Sequence, residues 1–193
     1  PRGLQGARET GLPVFRLKGL MGAVDINIRA FEPVDWDAIC AVYESASMVE
    51  LALSGADAEA FRPMPEEEPR TRFLEMNSAL LACLDGKVVG FVAWRDRGSW
   101  HNSGYLSWLY VEPAHHRRGI GDQLLQRAMT SLGPEAWTLT KLGNDPAISL
   151  YQKHGMAIVK TRAAGSGVYA HTELRLALPT SRKFDPEAPN FGA

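Results

Sequence analysis

The sequence predicts a mixed α/β fold, with a mostly antiparallel sheet of six or seven strands flanked by about four helices. The predicted elements follow the order β-α-(α)-β-β-β-α-β-α-β-β, in which neighbouring strands form hairpins. One strand–helix–strand unit interrupts the hairpins. It joins YLSWLYV (105–111) to AWTLTKL (136–142) through GIGDQLLQRAMTSL (119–132), and it predicts one parallel strand pair.

The N-terminal elements are a strand, a helix and a polar connection. DINIRAF (25–31) has the composition of a short strand. DWDAICAVYESAS (35–47) places its apolar residues on one helical face, with Asp35 as the predicted N-cap. The segment 55–70 holds three prolines and predicts a loop or a broken helix, and RFLEMN (72–77) predicts a short helix.

A β-hairpin follows. ALLACL and KVVGFVAW are two apolar runs that flank Asp85-Gly86. This dipeptide suits a type I′ turn, because both central residues of that turn need a positive φ. The hairpin should lead through the polar loop 95–104 into the apolar strand at 105–111.

The C-terminal elements are a helix and two strands. DPAISLYQKHG (145–155) has a proline in its first turn and Gly155 at the position that ends a helix. MAIVKTR (156–162) and VYAHTELRLAL (168–178) predict strands. In the second strand apolar residues alternate with polar ones such as Arg175, so one face is predicted to be buried.

Length and composition predict a single globular domain. The chain has 193 residues, of which 45% are hydrophobic and 22% charged, enough for a sizeable core. We place this domain at 24–178. A leader, native or added, precedes it at 1–23, and a proline-rich tail follows it at 179–193.

Charge and apolar patterning limit the expected partners. The formal net charge of −1 provides no general basic field, so we expect no nucleic-acid partner. The sequence has no run of 18 apolar residues, which argues against a membrane partner. Cys40 and Cys83 lie in apolar surroundings and predict buried thiols in a reducing compartment. We therefore expect a cytoplasmic protein, monomeric or homodimeric.

The junction HHRRGIG (115–121) carries the most distinctive chemistry. Adjacent histidines without a cysteine or acidic residue at ligand spacing disfavour a metal site, and the dinucleotide and P-loop signatures are incomplete. A phosphate cradle fits, because a helix N-terminus directs its N–H groups at one point and Gly119 and Gly121 admit an anion. Arg117 and Arg118 would add charge. Spacing alone leaves open a plain helix start with solvated arginines.

Two motifs in this half of the chain resemble a known family. LYVEPAHHRRGIGDQLL resembles motif A of the GNAT superfamily of N-acetyltransferases, in which [Q/R]-x-x-G-x-[G/A] opens a helix. The match runs from His116 to Gly121, with His116 in place of Gln or Arg. NDPAISLYQKHGM resembles the second motif, N-x-x-A-x-x-L-Y-x-x-x-G-F, with Met156 in place of Phe. The order of elements agrees over about 26–178, and it implies a GNAT-like twisted sheet with a central parallel pair that splays apart.

The resemblance implies that acetyl-coenzyme A is the co-substrate, although the acyl group could be longer. The pyrophosphate would rest on backbone amides of the motif A loop, and the pantetheine arm would lie in the gap of the splayed pair. Asn144 would line that arm near its inner end. The cofactor-binding residues implied in this way are Leu109, Tyr110, Val111, His116, Arg117, Arg118, Gly119, Ile120, Gly121, Asp122, Asn144, Ala147 and Tyr151.

The resemblance also implies a general acid. Tyr151 stands where the family has the phenol that protonates the leaving thiolate. A base is also needed, because an α-amine with a pKa of about 8 or a lysine amine with a pKa of about 10.4 must lose a proton before attack. The side chains of Tyr105, Ser107, Leu109 and Val111 should share one strand face. Tyr105 and Ser107 therefore mark a base or water-relay region, with His101 as another candidate.

The acceptor and the activity itself leave alternatives open. The acceptor site should lie over the loops 43–72 and 95–104, where Trp100 and the acidic run 66–68 are candidate contacts. We expect transfer of an acetyl group to a primary amine of a small molecule or peptide, by direct attack in a ternary complex. The alternative is a non-catalytic sensor or scaffold that binds acyl-coenzyme A.

Overall fold

A computed structural model describes residues 26–64, 67–76, 78–95 and 104–179. Its helices are α1 (Trp36–Leu53), α2 (Glu67–Leu74), α3 (Ile120–Leu132) and α4 (Asp145–Lys153). Its strands are β1 (Asn27–Ala30), β2 (Ser78–Leu84), β3 (Lys87–Arg95), β4 (Tyr105–Val111), β5 (Trp137–Lys141), β6 (Ala157–Ala164) and β7 (His171–Ala177). The predicted leader and nearly all of the predicted tail lie outside the described residues, and so do Trp100 and His101.

The seven strands form one sheet in the order β1-β2-β3-β4-β5-β7-β6. Every neighbouring pair is antiparallel except β4 and β5, which are parallel. The predicted fold class is confirmed, including the parallel pair in the middle of a mostly antiparallel sheet.

The parallel pair separates soon after it begins. Only two residue pairs join β4 to β5, Tyr105 with Trp137 and Leu106 with Thr138. On its other edge β4 has a bulge at the same level. Trp94 of β3 pairs with Leu106, but the residue before Trp94 pairs with the β4 residue two positions after Leu106. Ser107 is the extra residue, and a bulge bends its strand. The strands therefore diverge from Ser107 onwards.

Two apolar clusters pack on the two faces of the sheet. One joins α1 and α2 to β2 and β3, with Ile39, Phe73 and Phe91 at its centre. The other joins α3 and α4 to the opposite face, and its α3 residues form the predicted apolar stripe: Ile120, Leu124, Leu125 and Ala128, each at most 1% exposed. Both helical layers are thus fixed to the sheet that carries the splayed pair.

The hairpin agrees with its prediction, and the cysteines agree in part. Asp85 and Gly86 have φ values of 49° and 79°, as a type I′ turn requires. Cys83 is buried, Cys40 is half-buried, and both are free thiols. Gly155 has a φ of 86° directly after α4, which confirms its helix-ending position.

The first helix differs from its prediction at both ends. It continues to Leu53, six residues beyond the predicted limit. Asp35 is its N-cap residue, as predicted, but the Asp35 side chain makes no hydrogen bond to the helix terminus. The Asp35 carboxylate instead accepts hydrogen bonds from the Arg29 guanidinium at 2.7 Å and the Glu32 backbone N–H at 2.9 Å. The stronger, charged partner outcompetes the helix terminus.

Two further predictions need correction. The segment predicted as a loop at 55–70 and a helix at 72–77 instead contains α2 at 67–74. On β7 both faces are buried in the second half of the strand, and Arg175 is 4% exposed. Its guanidinium lies 4.9 Å from the ring centre of Trp137, a cation–π contact that allows this charge to be buried.

Candidate active site

A cleft with a volume of about 690 Å³ occupies the gap between β4 and β5. Its walls are formed by residues of the two diverging strands, of α1, of the first turn of α3 and of α4. Most of the predicted site residues line it: Ser107, Leu109, Tyr110, Val111, His116, Arg117, Gly119, Ile120, Gly121, Asp122, Asn144, Ala147 and Tyr151. The divergence of the strands therefore creates the space that the site needs.

One end of the cleft is the N-terminus of α3. Gly119 is its N-cap residue, with a φ of 77°, and no side chain caps the helix. Arg117 also has a positive φ, 62°. The N–H groups of the first turn carry partial positive charge, and two arginine side chains lie next to them. This end of the cleft has the geometry and the charge to hold an anion.

The two glycines of this loop differ in their surroundings. A Cβ on Gly119 would meet no atom within 4 Å, but the left-handed backbone would be strained by any side chain. Gly121 has no positive φ, and a Cβ there would lie 3.4 Å from Leu150 Cδ2 and 3.7 Å from Val111 Cγ2, ordinary contacts. Gly119 is needed for the backbone conformation, whereas an alanine fits at position 121.

His116 forms a brace between the loop and β4. Its Nε2 lies 2.7 Å from the carbonyl oxygen of Val111. A carbonyl can only accept, so Nε2 carries the proton and donates it. The side chain that stands in place of Gln or Arg therefore turns back to the strand end, and it helps to fix the loop conformation.

Tyr151 lies where the parallel strands separate. Its side chain belongs to the core cluster beneath α3 and is 5% exposed, yet it also lines the cleft. Burial raises the pKa of Tyr151 above its usual value, with a smaller opposing effect from Thr138, the last β5 residue that pairs with β4. The phenol is therefore held protonated at the inner end of the cleft.

The predicted base region is divided by the structure. Ser107 lines the cleft, but Tyr105 is not among the lining residues, and its ring stacks on Trp137 with centres 4.2 Å apart. The bulge at Ser107 causes this difference. It places Leu106 in the same core cluster as Leu109 and Val111, so the prediction that Tyr105 shares their face is wrong. Burial raises the pKa of Tyr105, which leaves its phenol protonated.

Asn144 and Ala147 line the cleft from the start of α4. Asn144 is the N-cap residue of this helix, and its side-chain amide donates a hydrogen bond of 3.3 Å to Thr140 Oγ1 on β5. The side chain is thus directed along the strand rather than into the helix terminus. Arg118 is exposed and is not a lining residue.

Glu50, which lines the cleft from α1, was not predicted as a site residue. Its Oε2 accepts a hydrogen bond of 3.1 Å from the Tyr110 hydroxyl of β4. Its Oε1 lies 3.4 Å from Lys141 Nζ of β5. Glu50 thus connects the two diverging strands from the α1 side. Its partners are 60 and 91 positions away in the chain, so no local pattern could reveal it.

Asp122 connects the first turn of α3 to the end of α4. Its Oδ1 accepts hydrogen bonds from Lys153 Nζ and His154 Nε2, both at 2.8 Å. The Lys153 ammonium and, to a smaller extent, His154 hold the pKa of Asp122 below its usual value, against the effect of partial burial. The motif A loop and the helix that carries Tyr151 are thus held together by charge.

Replacing Asp122 with Asn should lower Tm by a few degrees at pH 7, since exposed pairs contribute at most about 1 kcal/mol each. A carboxylate whose folded pKa is depressed stabilises the fold above its unfolded pKa, near 3.9, and loses this effect as pH falls through the folded value. Thermal unfolding from pH 7 to pH 2.5 should therefore show the two proteins converging below about pH 4. Glu59→Gln, on the exposed surface, is the control, and a difference that persists at low pH would contradict this role.

The described residues offer neither a metal-binding cluster nor a membrane-spanning helix. Within the described ranges, no three histidine, cysteine or acidic side chains converge as a metal site would require. None of the helices described there combines the length and apolar character needed to span a bilayer.

Comparison with known proteins agrees with the geometry of the cleft. Residues 46–156 match the model of the Acetyltransferase (GNAT) family. The chain belongs to this family. The match covers more than half of the sequence and runs from α1 to the end of α4, which includes the cleft walls and both motifs. GNAT proteins use acetyl-coenzyme A.

Relatives of this GNAT protein include an N-alpha-acetyltransferase of Sulfurisphaera tokodaii. It is 29% identical over 116 residues, a match that covers 50% of this chain and 70% of the relative. Among solved structures, the ribosomal-protein-S18-alanine N-acetyltransferase of Escherichia coli has a TM-score of 0.62 at 20% identity and covers 86% and 99% of the two chains. The PaiA N-acetyltransferase of Thermoplasma acidophilum, in complex with coenzyme A, has a TM-score of 0.59 at 21% identity, with coverages of 77% and 98%. These structures establish the shared fold.

Proposed function

We propose that this protein transfers an acetyl group from acetyl-coenzyme A to a primary amine, by direct attack in a ternary complex, with Tyr151 as the general acid. The observation that carries the proposal is the single continuous cleft between β4 and β5. It joins an uncapped helix N-terminus at one end to a buried phenol at the other. Acetyl-coenzyme A carries a pyrophosphate and, at the far end of its pantetheine arm, a thioester. It therefore needs an anion site at one end of the cleft and a proton donor at the other.

The residues of the cleft suit the two parts of such a carrier. Backbone N–H groups from Gly119 to Asp122 would hold the pyrophosphate, with Arg117 adding charge at the loop. The pantetheine arm would lie along Leu109 to Val111, where β4 no longer pairs with β5. Asn144 and Ala147 would contact the arm from α4. The phosphate cradle depends on backbone conformation. The presence of His116, where the family pattern has Gln or Arg, therefore does not remove it.

Tyr151 would act on the leaving sulfur. The amine nitrogen attacks the thioester carbon, the C–S bond breaks, and the phenol proton moves to the sulfur as negative charge develops there, while the nitrogen of the new amide loses a proton that restores the phenol. An ordinary thiol has a pKa of about 8.5, below that of a phenol. Burial acts on both groups, because a buried thiolate also loses its hydration and becomes more basic. The same burial keeps Tyr151 protonated throughout the neutral pH range.

The N-alpha-acetyltransferase among the relatives suggests a first class of acceptor, peptides with a free α-amine. The direct test is to incubate the protein with acetyl-coenzyme A and a panel of such peptides, lysine-containing peptides and small amines. We expect release of free thiol together with one acetylated amine class, identified by mass spectrometry. Tight binding of acetyl-coenzyme A without thiol release from any amine would overturn the enzymatic proposal and favour a sensor or scaffold.

A further inference from the structure

Glu50 holds a distinctive position among the acidic residues of the cleft. Two of the described lining residues are acidic, Glu50 and Asp122. Asp122 lies at the anion-binding end, where Lys153 and His154 both bond to one of its oxygens. Glu50 approaches the gap from α1, its side chain 17% exposed, and contacts both diverging strands. It is the carboxylate placed to meet a second substrate that enters from the α1 side.

The carboxylate of Glu50 has unused capacity to accept hydrogen bonds. Two carboxylate oxygens offer about four acceptor positions. The Tyr110 hydroxyl takes one of these at 3.1 Å. The Lys141 ammonium, at 3.4 Å from Oε1, lies beyond the usual N–H···O distance of about 2.7–3.2 Å. An incoming ammonium can therefore bind Oε1 without breaking a short bond, while Tyr110 keeps the carboxylate oriented.

Glu50 and Tyr151 line the same cleft from different helices. Tyr151 belongs to the cluster under α3 and α4, whereas Glu50 extends from α1. The negative charge of Glu50 adds to burial in raising the pKa of Tyr151, so the two groups lie within electrostatic reach of each other. The cleft thus has an acceptor of protons on one side and a donor on the other.

We propose that Glu50 binds the ammonium group of the acceptor amine and removes its proton before attack, an assignment that rests on the proposed acetyl transfer. One N–H bond of the ammonium breaks and the proton moves to Oε1 of Glu50. The neutral amine then attacks the thioester carbon, the C–S bond breaks, and the sulfur leaves with the proton of Tyr151. The nitrogen of the new amide loses its second proton to the Tyr151 phenolate, which restores the phenol.

The surroundings of Glu50 define the class of acceptor. Ala46, Val49 and Leu53 line the cleft beside it on the same helix. A carboxylate with apolar neighbours favours a primary ammonium attached to an apolar body, and it disfavours an acceptor with a carboxylate next to its amine. Peptides with a free α-amine and an apolar first residue meet this description.

The test compares Glu50→Gln with the wild type on peptides that begin with Ala, Met or Gly, by measuring kcat/KM from pH 6 to pH 10. At pH 7 we expect a loss of about 100-fold or more. The difference in kcat/KM between the variant and the wild type should become smaller as pH rises past the amine pKa of about 8, because the amine is then already neutral. Acetyl-coenzyme A affinity and Tm should stay close to the wild-type values.

Two further variants separate chemistry from packing. Glu44→Gln removes an exposed carboxylate of the same helix and should retain wild-type kcat/KM. Glu50→Asp keeps the charge, so it should keep the wild-type pH profile with a smaller loss, and it serves as the test if the glutamine variant does not fold.

A loss that is equal at every pH, or no loss at all, would overturn the role of Glu50 while leaving acetyl transfer intact. A wild-type protein that releases no thiol with any amine would overturn acetyl transfer and the role of Glu50 with it.

Discussion

Replacing Tyr151 with Phe should lower kcat by about 100- to 10,000-fold, the usual contribution of a positioned general acid. The ring is 5% exposed and packs in the core, and Phe preserves its shape, so the fold should be retained. Binding of acetyl-coenzyme A should weaken by less than about fivefold, the equivalent of one neutral hydrogen bond of roughly 1 kcal/mol. Single-turnover rates and calorimetric titration measure the two effects separately.

The control for Tyr151→Phe is Tyr169→Phe, which removes a hydroxyl from a half-exposed tyrosine that does not line the cleft. This control variant should leave both kcat and the affinity for acetyl-coenzyme A unchanged. Equal losses of kcat and of affinity in Tyr151→Phe would show that the phenol serves binding alone, and a wild-type kcat would exclude it as the acid.

Replacing Gly119 with Val should weaken acetyl-coenzyme A binding by a factor on the order of 100. Two costs combine, about 1–2 kcal/mol for a left-handed backbone with a side chain and about 1–3 kcal/mol for overpacking against the bound phosphates. The φ of 77° at Gly119 is the structural basis of the first cost. Calorimetric titration of coenzyme A into the free variant measures the loss.

Two variants make the Gly119 experiment specific. Gly121→Ala should lose much less affinity, because Gly121 has no positive φ and its added Cβ makes ordinary contacts with Leu150 and Val111. Ser131→Val tests a β-branched residue at an exposed position of the same helix, far from its N-terminus. Similar losses for Gly119→Val and Ser131→Val would refute the cradle, since the effect would then be one of general destabilisation.

Local patterns predicted the elements whose structure is decided locally. The hairpin turn at Asp85-Gly86 follows from the φ values that only a few residues tolerate. The stripe on α3 and the end of α4 at Gly155 follow from helical periodicity and capping. The cofactor loop was visible for the same reason, since its glycines and its helix start are neighbours in the chain.

The features that the sequence analysis did not predict depend on contacts between residues that are distant in the chain. The Ser107 bulge arises from pairing with β3 and changes which residues share a face, so simple alternation misplaced Tyr105. Arg175 is buried because Trp137, 38 positions earlier, stacks with it. Asp35 binds Arg29 instead of the helix. The acceptor side of the site was predicted least well. Glu50 can be recognised there only from its contacts with Tyr110 and Lys141, which are distant in the chain.

The short ladder between β4 and β5 has a mechanical consequence. With only two residue pairs in common, the sheet consists of two half-sheets, β1–β4 and β5–β7, that share a narrow hinge. A molecule that filled the gap between them would act as a substitute strand in the sheet. Its binding free energy is then also free energy of joining the two halves, so the protein should resist heat increasingly as ligand concentration exceeds Kd.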